Sequence, residues 1–492
     1  MKEPRDGILL GMVLVVSLIL AAILPPADDE LYYWCWAKDL QFSYYDHPPM
    51  VAYLIRASTE IFGDTVFGLR VPACLANAFL LWIIRRLSRT PTLLPWIVCT
   101  PLFTLGSVIV TPDAPLLMFW AAYLWWLVEI HCSLPRHPAG ARSKRSEPSR
   151  GLPWSRWILG GVLLGAGILS KYTMALAVPA GFASFLLLRL NWRKWLPGYL
   201  LHGMVAFVVA SPILIYNIQN NFTPLIFQWQ HSMGGTPENN RHFFEFAGAQ
   251  ILLFGTLPVF LLPWVLWNFR RLAKVPRLRV CCCLYAIPWS FFLLKATNSH
   301  VEANWALVSF IAFWPLASVW YDAVSKSTFW RWSMRSAFIP SIVSVLLLTL
   351  HLLHPLPIIP TQGDRIYLQF SKVTVAREIS ETIRIRGENL PVYAPTYQWT
   401  SLLRFQGLNT RQIEGLTRPS HFTQPPRHLD QETQAYVVAE NRLPEKFASG
   451  FAIPELIQDY PLVVRGTSER TVHLFLYTKQ PPHISEDDTG VE

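Results

Sequence analysis

Residues 7–30 read GILLGMVLVVSLILAAILPPADDE, an apolar run that ends directly in three carboxylates, Asp28, Asp29 and Glu30. The run is about as long as the roughly 20 residues that a helix needs to cross a hydrocarbon core. In the full chain of 492 residues, 52% are hydrophobic and only 15% are charged, a balance typical of integral membrane proteins. The sequence therefore predicts a membrane-spanning fold with acidic groups at a membrane surface.

Apolar runs of similar length recur through the first 353 residues. We predict an all-α polytopic membrane domain at 1–353 with about eleven transmembrane helices, within a range of about nine to thirteen. The predicted spans are 8–25, 66–84, 93–110, 114–130, 157–170, 172–188, 196–216, 247–268, 280–295, 304–320 and 336–353. Because no small-residue cleavage site precedes Asp28, we interpret the first run as an uncleaved anchor rather than a signal peptide.

Lys and Arg are concentrated in alternate loops. With the N-terminus taken as cytoplasmic, 22 of them fall in the inner loops. The outer loops hold Lys38, Arg56, Lys171 and Arg241, with Lys295 at a helix end. Cationic loops stay on the cytoplasmic side, so this alternation predicts the orientation of the spans. It also explains the net charge of +10 without a nucleic-acid partner, since solvated loops beside anionic membrane lipids suffice.

The chain changes character after residue 353, where charges are interspersed among short apolar stretches. An odd number of spans places this segment on the outer side, with the carboxylates. Residues 371–386 have the pattern of an amphipathic helix. Stretches typical of strands lie at 391–394, 435–439 and 472–477. We predict a small α/β domain at 354–480 and a polar, disordered tail at 481–492.

The first outer loop, 26–65, is strongly aromatic. Its residues 31–45 read LYYWCWAKDLQFSYY, which is too polar to span a membrane and too aromatic for a free loop in water. We predict that this stretch forms a short interfacial helix. Such a helix would hold the three preceding carboxylates against the membrane surface. The alternative is an aromatic belt with no catalytic role.

The same loop contains the turn Asp46-His47-Pro48-Pro49. The two prolines fix two φ angles and exclude helical geometry at His47, so the turn is expected to be stiff. His47 can offer a positive charge or a hydrogen-bond donor to a phosphate, and Asp46 can orient it or bind a cation. The alternative is an Asp–His hydrogen bond with a structural role only.

Two charged residues stand at the predicted outer ends of later spans. Asp113 follows Thr111 and Pro112 at the start of a helix, where the helix dipole alone would favour an acid. It could also be a second carboxylate of one centre. Lys171 separates two apolar runs, where an ammonium needs an anion or water. A phosphate could be the partner of the Lys171 ammonium. Alternatively, the side chain could extend to the membrane interface and place the ammonium in water.

The tenth predicted span opens with a dense set of polar groups, among them His300, Glu302 and Asn304. We predict that these three side chains contact substrate. Tyr45 and Tyr172, next to the predicted phosphate ligands, are candidates for the same role.

The order of these motifs resembles the bacterial membrane glycosyltransferases of the protein-mannosyltransferase and aminoarabinose-transferase type, glycosyltransferase families 39 and 83, which have the GT-C fold. The resemblance covers roughly residues 8–320, and the joint order is more specific than any single motif. The motifs are DDE at 28–30, YYDHPPM at 44–50, TPDAPL at 111–116, SKYT at 170–173, SPILIYN at 211–217 and EANW at 302–305.

The resemblance implies transfer of a sugar from a polyprenyl-phosphate carrier on the outer, periplasmic face of the bacterial inner membrane. It implies that Asp29 and Glu30 are catalytic, with Asp113 as the acid of the second outer loop. It also implies a divalent metal (Zn, Mg or Mn) held by Asp46 and a later His, for which His231 is a candidate. The family has Lys where this chain has His47, so the charge there depends on pH.

Displacing polyprenyl phosphate from an anomeric carbon needs a base for the acceptor hydroxyl and positive charge for the departing phosphate. We assign Asp29 as the base, Glu30 or Asp113 as an orienting group, and Lys171 and His47 as phosphate ligands. A single attack would invert the anomeric centre. If the acceptor is itself a phosphate, no base is needed and the acids serve for binding.

Lipid A or another envelope glycan is the first acceptor that the resemblance suggests, and a secreted protein, as in O-mannosylation, is the second. A transporter or flippase would also have many spans, but it usually shows repeated halves, and we find no internal repeat. A scaffold protein would explain the outer domain without a role for Asp29.

Overall fold

The computed structural model describes residues 4–88, 97–98, 100, 103, 106–134, 152–188, 192–233, 241–254, 257–324, 327–328, 332, 336, 339–357, 359–423, 428–448 and 450–479. The chain divides into two units. The first combines Met1–Leu24 with Trp36–His351, and the second combines Pro25–Cys35 with Leu352–Glu492. The predicted boundary left the whole loop 26–65 in the membrane domain, whereas the structure assigns Pro25–Cys35 to the second unit.

The first unit is built of helices. They are α1 (Pro4–Ile23), α2 (Asp28–Lys38, whose last turn lies here), α3 (Met50–Phe62), α4 (Val66–Leu87), α5 (Asp113–Ser133), α6 (Trp154–Ser170), α7 (Ala177–Leu186), α8 (Leu196–Gln219), α9 (Thr223–Met233), α10 (Arg241–Phe254), α11 (Leu257–Leu272), α12 (Pro276–Ala296), α13 (Leu307–Val324) and α14 (Ile339–Leu353). Short 3₁₀ turns at Tyr172–Leu176 and Ala303–Ala306 precede α7 and α13.

Six helical segments among the described residues are long and apolar enough to cross a membrane. They are Arg5–Ile23, Val66–Leu87, Asp113–Ser133, Leu196–Gln219, Pro276–Ala296 and Ala303–Ala323. Three more apolar helices are shorter, at Trp154–Ser170, Tyr172–Leu186 and Ile342–Leu352. The chain is thus a multi-pass membrane protein, as predicted, although the number of eleven spans is not confirmed.

Two predicted spans account for part of that difference. Half of the predicted span 93–110 lies outside the described residues. The disordered tail predicted at 481–492 and most of the basic loop before α6 also lie outside them. The span predicted at 247–268 corresponds to parts of two helices, α10 and α11.

Helices α1 and α4 run antiparallel, with a polar contact near each end. Arg70 in α4 is only 1% exposed, and its guanidinium donates to the carbonyl oxygens of Ala21 (3.3 Å) and Leu24 (2.9 Å). These carbonyls lie at the C-terminus of α1, where the helix has no donors of its own to offer. At the other end of the pair, Arg85 forms an ion pair with Asp6.

Helices α6 and α8 approach each other closely through glycine. A Cβ atom on Gly161 would lie 2.6 Å from the Cβ of Val205, and one on Gly165 would lie 2.6 Å from the Cβ of Val209. Small residues spaced by four positions allow this kind of contact in membranes, because the two backbones can approach directly. The close packing fixes the end of α6, where Lys171 follows directly.

The second unit carries a five-stranded sheet with the order β2-β1-β3-β5-β4. Its strands are β1 (Val392–Ala394), β2 (Thr410–Gln412), β3 (Gln434–Ala439), β4 (Glu455–Val464) and β5 (Thr467–Thr478), and its helices are α15 (Arg365–Arg386), α16 (Tyr397–Phe405) and α17 (Glu445–Ala448). Strand β1 pairs in parallel with both β2 and β3, while β5 pairs antiparallel with β3 and β4.

The predicted small α/β domain is confirmed in its main elements. The amphipathic helix is longer than predicted, because Asp364 caps its start by accepting a hydrogen bond from the N–H of Tyr367. Three predicted stretches form β1, β3 and β5. Strands β2 and β4 were not predicted. Both lie at the edges of the sheet, where β2 has only three residues and β4 contains Pro461, which edge strands tolerate.

Candidate active site

The carboxylates Asp28, Asp29 and Glu30 form the first turn of α2. The predicted stretch is helical in part: the helix begins three residues earlier than the stretch 31–45 and ends at Lys38. Its place at the membrane interface stays a prediction. Acidic side chains are favourable at a helix N-terminus because they interact with its dipole. In addition, Glu30 Oε2 accepts the backbone N–H of Ala27 at 2.8 Å, as the acidic partner of a capping box does.

Each of these three acids has a different environment within the second unit. Asp28 accepts hydrogen bonds from Lys372 Nζ (3.0 Å) and Gln369 Nε2 (2.9 Å). Glu30 is fully buried and caps the helix. Asp29 alone of the three is exposed, and its Oδ1 accepts a hydrogen bond from the hydroxyl of Tyr397 at 2.9 Å. The geometry gives structural roles to its neighbours and leaves Asp29 accessible to a substrate.

Tyr397 orients the Asp29 carboxylate. Its ring lies 4.7 Å from that of Tyr32, and the guanidinium of Arg418 lies 4.3 Å from its centre. Burial raises the pKa of the Tyr397 hydroxyl, and the negative charge of Asp29 raises it further. The hydroxyl therefore stays protonated at neutral pH and donates to Asp29.

The rest of the segment Pro25–Cys35 also packs within the second unit. The hydroxyl of Tyr32 accepts the backbone N–H of His421 at 2.7 Å, and the ring of Trp34 lies edge-on to Phe405. Burial raises the pKa of the Cys35 thiol to about 12, while the charge of nearby Arg404 opposes the shift. This thiol is therefore protonated and unreactive at neutral pH, so the segment offers no cysteine nucleophile.

In the first unit, Asp113, Lys171 and Asn304 form a buried polar cluster. Lys171 Nζ lies 2.8 Å and 3.0 Å from the two carboxylate oxygens of Asp113. Asn304 Nδ2 donates to Asp113 Oδ2 at 2.7 Å. Asp113 is 8% exposed and Lys171 9%. The structure thus brings together three residues that are far apart in the sequence.

All three residues stand at helix ends. Asp113 is the first residue of α5, Lys171 follows the last residue of α6, and Asn304 lies in the 3₁₀ turn before α13. Lys171 was expected to meet a phosphate or to snorkel to the interface, but its partner in the structure is Asp113. Because Asp113 already accepts from an ammonium and an amide, it is suited to positioning and poorly suited to acting as a base.

The turn Asp46-His47-Pro48-Pro49 is fixed by contacts with α9. Gln228 donates to the backbone carbonyl of Asp46, and the ring of Tyr45 lies 4.7 Å from that of Phe227. The backbone N–H of Tyr44 donates to the carbonyl of His47 at 3.2 Å. Asp46 is buried and His47 half-buried. Tyr45 is also buried, and its predicted contact with substrate stays a prediction.

Tyr172 directly follows Lys171 and opens the 3₁₀ turn before α7. In α8, Asn217 Oδ1 accepts the backbone N–H of Leu225 in α9 at 3.1 Å, and α9 is the helix that contacts Asp46. The role of Tyr172 in substrate binding stays a prediction. The predicted convergence of Asp29 with Asp113 stays a prediction.

A different set of residues is arranged like a metal site. One ligand atom from each of His242, Glu245 and His300 lies within 4.8 Å of the others. His242 and Glu245 are three residues apart on α10, which places them on one face of the helix. His300 also contacts Glu302, with Nε2 3.3 Å from Oε1, and both side chains are exposed.

Two imidazoles and a carboxylate are a ligand set that zinc accepts. Asp46 and His231 are the metal ligands expected from the sequence, and the side chain of His231 lies outside the described residues. The His-x-x-Glu spacing in an outer loop is the signal that could have identified the cluster. His300 could not have been added from the sequence, since only the fold brings it to α10.

The Asp113–Lys171 pair predicts a stability effect. Replacing Asp113→Asn leaves the Lys171 ammonium buried without its counter-ion, which costs about 3–5 kcal/mol for a buried pair. The double change Asp113→Asn with Lys171→Met should recover most of that loss. Thermal unfolding in detergent measures both.

Asp64→Asn, which breaks the exposed pair with Lys38, is the matched control and should cost about 1 kcal/mol or less. Equal stability of the Asp113 and Asp64 variants would contradict the assignment of Asp113 as the counter-ion of Lys171.

The fold and these motifs agree with known proteins. A family model described as dolichyl-phosphate-mannose-protein mannosyltransferase matches residues 46–133 and 149–216. The chain is 26% identical over 407 residues to the lipid A galacturonosyltransferase RgtD of Rhizobium johnstonii. The aligned residues are 79% of this chain and 80% of the relative.

A second relative is the undecaprenyl phosphate-alpha-4-amino-4-deoxy-L-arabinose arabinosyl transferase of Pseudomonas paraeruginosa. It is 23% identical over 310 residues, which are 60% of this chain and 48% of the relative. The chain therefore spans about half the length of that transferase.

Among solved structures, ArnT from Cupriavidus metallidurans bound to undecaprenyl phosphate superposes with a TM-score of 0.60 at 13% identity, covering 95% of this chain and 97% of that one. This likeness shows the shared fold. Together with the matches in sequence, it supports a membrane glycosyltransferase of the GT-C type, to which this chain is similar.

Proposed function

We propose that the chain transfers a sugar from a polyprenyl-phosphate carrier to lipid A, with Asp29 as the general base. The observation that carries this proposal is the exposed carboxylate of Asp29, oriented by Tyr397 at the start of α2. The relative from Rhizobium acts on lipid A, and ArnT was solved with undecaprenyl phosphate bound. We therefore favour lipid A over a secreted protein as acceptor.

In the proposed reaction, Asp29 accepts the proton of an acceptor hydroxyl as its oxygen attacks the anomeric carbon of the donor sugar. The bond between that carbon and the phosphate oxygen breaks, and polyprenyl phosphate leaves with the electron pair. One displacement inverts the anomeric centre. A positioned base contributes about 10²- to 10⁴-fold to such a step.

The leaving phosphate needs positive charge, and the first unit offers two candidates. Lys171 is held by Asp113 and Asn304, so its ammonium is positioned but partly neutralised. His47 lies in the turn fixed against α9, where its imidazole can donate to a phosphate oxygen. We propose that both serve the phosphate, with Asp113 and Asn304 positioning Lys171.

We propose that the reaction takes place on the periplasmic face of the bacterial inner membrane. The alternation of basic and neutral loops supports a cytoplasmic N-terminus and a periplasmic second unit. The ends of α5, α6 and α13 that meet at Asp113 all fall on the predicted outer side.

Asp29→Asn tests the proposal directly. Purified protein in lipid nanodiscs would receive undecaprenyl-phosphate-linked galacturonic acid or aminoarabinose, with lipid A as acceptor, and mass spectrometry would follow the modified lipid. We expect the variant to lose about 10²- to 10⁴-fold in turnover, as expected when a general base is removed.

Asp39→Asn, a matched change at an exposed acid just beyond α2, should keep wild-type turnover. A higher acceptor KM at unchanged kcat for Asp29→Asn would mean that Asp29 binds the acceptor without taking its proton, as expected for an acceptor that needs no base. Turnover within tenfold of wild type, with unchanged KM, would rule out Asp29 as the base.

We also propose that His242, Glu245 and His300 hold a divalent metal, with zinc favoured by the two imidazoles. A bound cation would supply positive charge near the substrates. Arg241 donates to Glu245 Oε1 at 2.7 Å, whereas the other carboxylate oxygen, Oε2, lies 3.7 Å from His242 Nδ1 and can face a cation there.

Metal analysis of the purified protein tests this site without reference to activity. We expect about one zinc per chain in the wild type after dialysis, as in a single closed site. His242→Ala and His300→Ala should lose it, whereas His354→Ala, which changes an exposed His outside the cluster, should retain it. Equal zinc content in all four proteins would exclude the cluster as a metal site.

A further inference from the structure

A cavity of about 500 Å³ opens within the second unit. Its wall includes residues that follow three strands: Pro395 and Thr396 directly after β1, Glu440 directly after β3, and Leu416 in the loop that follows β2. Because these strands are parallel to one another, their carboxyl ends lie along the same edge of the sheet. The cavity is within the size range of about 300–1,000 Å³ that is usual for small-molecule sites.

The topology of the sheet favours a binding site at this edge. From β1 the chain passes through α16 to β2 on one side, and then returns to β3 on the other side of β1. Connections that leave in opposite directions open a crevice outside the strand ends. In open α/β sheets, ligands bind in such crevices.

The lining has the chemistry of a saccharide site. Asp28 and Glu440 supply two carboxylates, Lys372 and Arg442 supply two cations, and the charges therefore balance. The amides of Gln398 and Asn441 both donate and accept hydrogen bonds. Sugar hydroxyls have the same dual capacity, whereas a polyanion would favour an excess of cations. Apolar side chains, among them Trp399 and Leu443, provide a surface for the C–H faces of a sugar ring.

The cavity also adjoins the proposed base within the same unit. Asp28, which forms part of the wall through its ion pair with Lys372, is the immediate neighbour of Asp29 in the first turn of α2. Tyr397, which orients Asp29, lies between the lining residues Thr396 and Gln398. A sugar bound in the cavity would therefore contact residues adjacent in sequence to Asp29 and Tyr397, which do not themselves line it.

We propose that this cavity binds the saccharide headgroup of the acceptor. The inference rests on the proposed function, and it adds a recognition site for the acceptor at the carboxyl edge of the sheet. The membrane unit then serves the donor lipid, while the second unit carries both the base and the acceptor subsite.

Two variants test the subsite by different routes. Gln398→Ala with Arg442→Ala removes hydrogen-bonding groups, and Asn441→Trp fills the cavity from an exposed loop position. The pair Arg377→Ala with Glu381→Gln changes exposed residues on α15 that do not line the cavity, and it serves as control. Asp28 and Lys372 are left unchanged because their ion pair connects the first turn of α2 to α15.

For both test variants we expect the acceptor KM to rise about tenfold with lipid A as substrate, which corresponds to the loss of one or two hydrogen bonds. The donor KM, kcat at saturating lipid A and the melting temperature should stay at wild-type values. Saturation-transfer NMR without donor measures direct binding of the deacylated lipid A disaccharide to the full-length protein. We expect this binding to weaken in both test variants as the acceptor KM rises. The control should match the wild type throughout.

The outcomes separate the two proposals. An unchanged acceptor KM in both variants, with transfer still dependent on Asp29, would overturn the subsite and leave the proposed function standing. Absence of any transfer by the wild type would overturn the proposed function, and the NMR titration would then decide the subsite alone. Disaccharide binding that is equal in wild type and variants would contradict the subsite in either case.

Discussion

A carboxylate or ammonium can be buried only where it meets a partner. This constraint distinguishes the charged residues that are buried in ion pairs or hydrogen bonds from those that stay exposed. Asp28 meets Lys372, Glu30 caps α2, and Asp113 meets Lys171 and Asn304. Asp29 is exposed, although it stands between two acids that are committed to structure. The same rule accounts for Arg70, whose guanidinium is satisfied by the carbonyls that end α1.

The two units hold different kinds of candidate functional residues. The second unit holds the proposed base, its orienting tyrosine and a cavity with sugar-binding chemistry. The first unit holds the buried Lys171, the stiff turn at His47 and the His242 cluster, all suited to anions or cations. If the proposed acceptor subsite and phosphate ligands are correct, loops at the sheet edge and residues of the first unit serve different substrates.

The sequence predicted much of the local structure because the relevant signals are local. Apolar runs gave the positions of α1, α4, α5 and α12, and alternating stretches gave β1, β3 and β5. The sequence also singled out Asp29, Asp113 and Lys171. What it could not predict depends on contacts between distant residues.

The contact of Lys171 with Asp113 joins positions 58 residues apart, and the segment Pro25–Cys35 packs with a domain more than 300 residues later. Neither follows from periodicity or composition. The edge strand β4 was missed because its exposed polar face and Pro461 weaken the usual pattern of a strand. The His242 cluster was missed because His300 joins it only through the fold.

The most direct test of the central claim is a cryo-electron-microscopy structure of the protein with undecaprenyl phosphate and lipid A bound together. We expect the lipid phosphate to contact Lys171 or His47, and a carboxylate oxygen of Asp29 to lie about 3 Å from the acceptor oxygen, within the reach of a general base. A phosphate bound away from both residues, or an acceptor oxygen beyond the reach of Asp29, would contradict it.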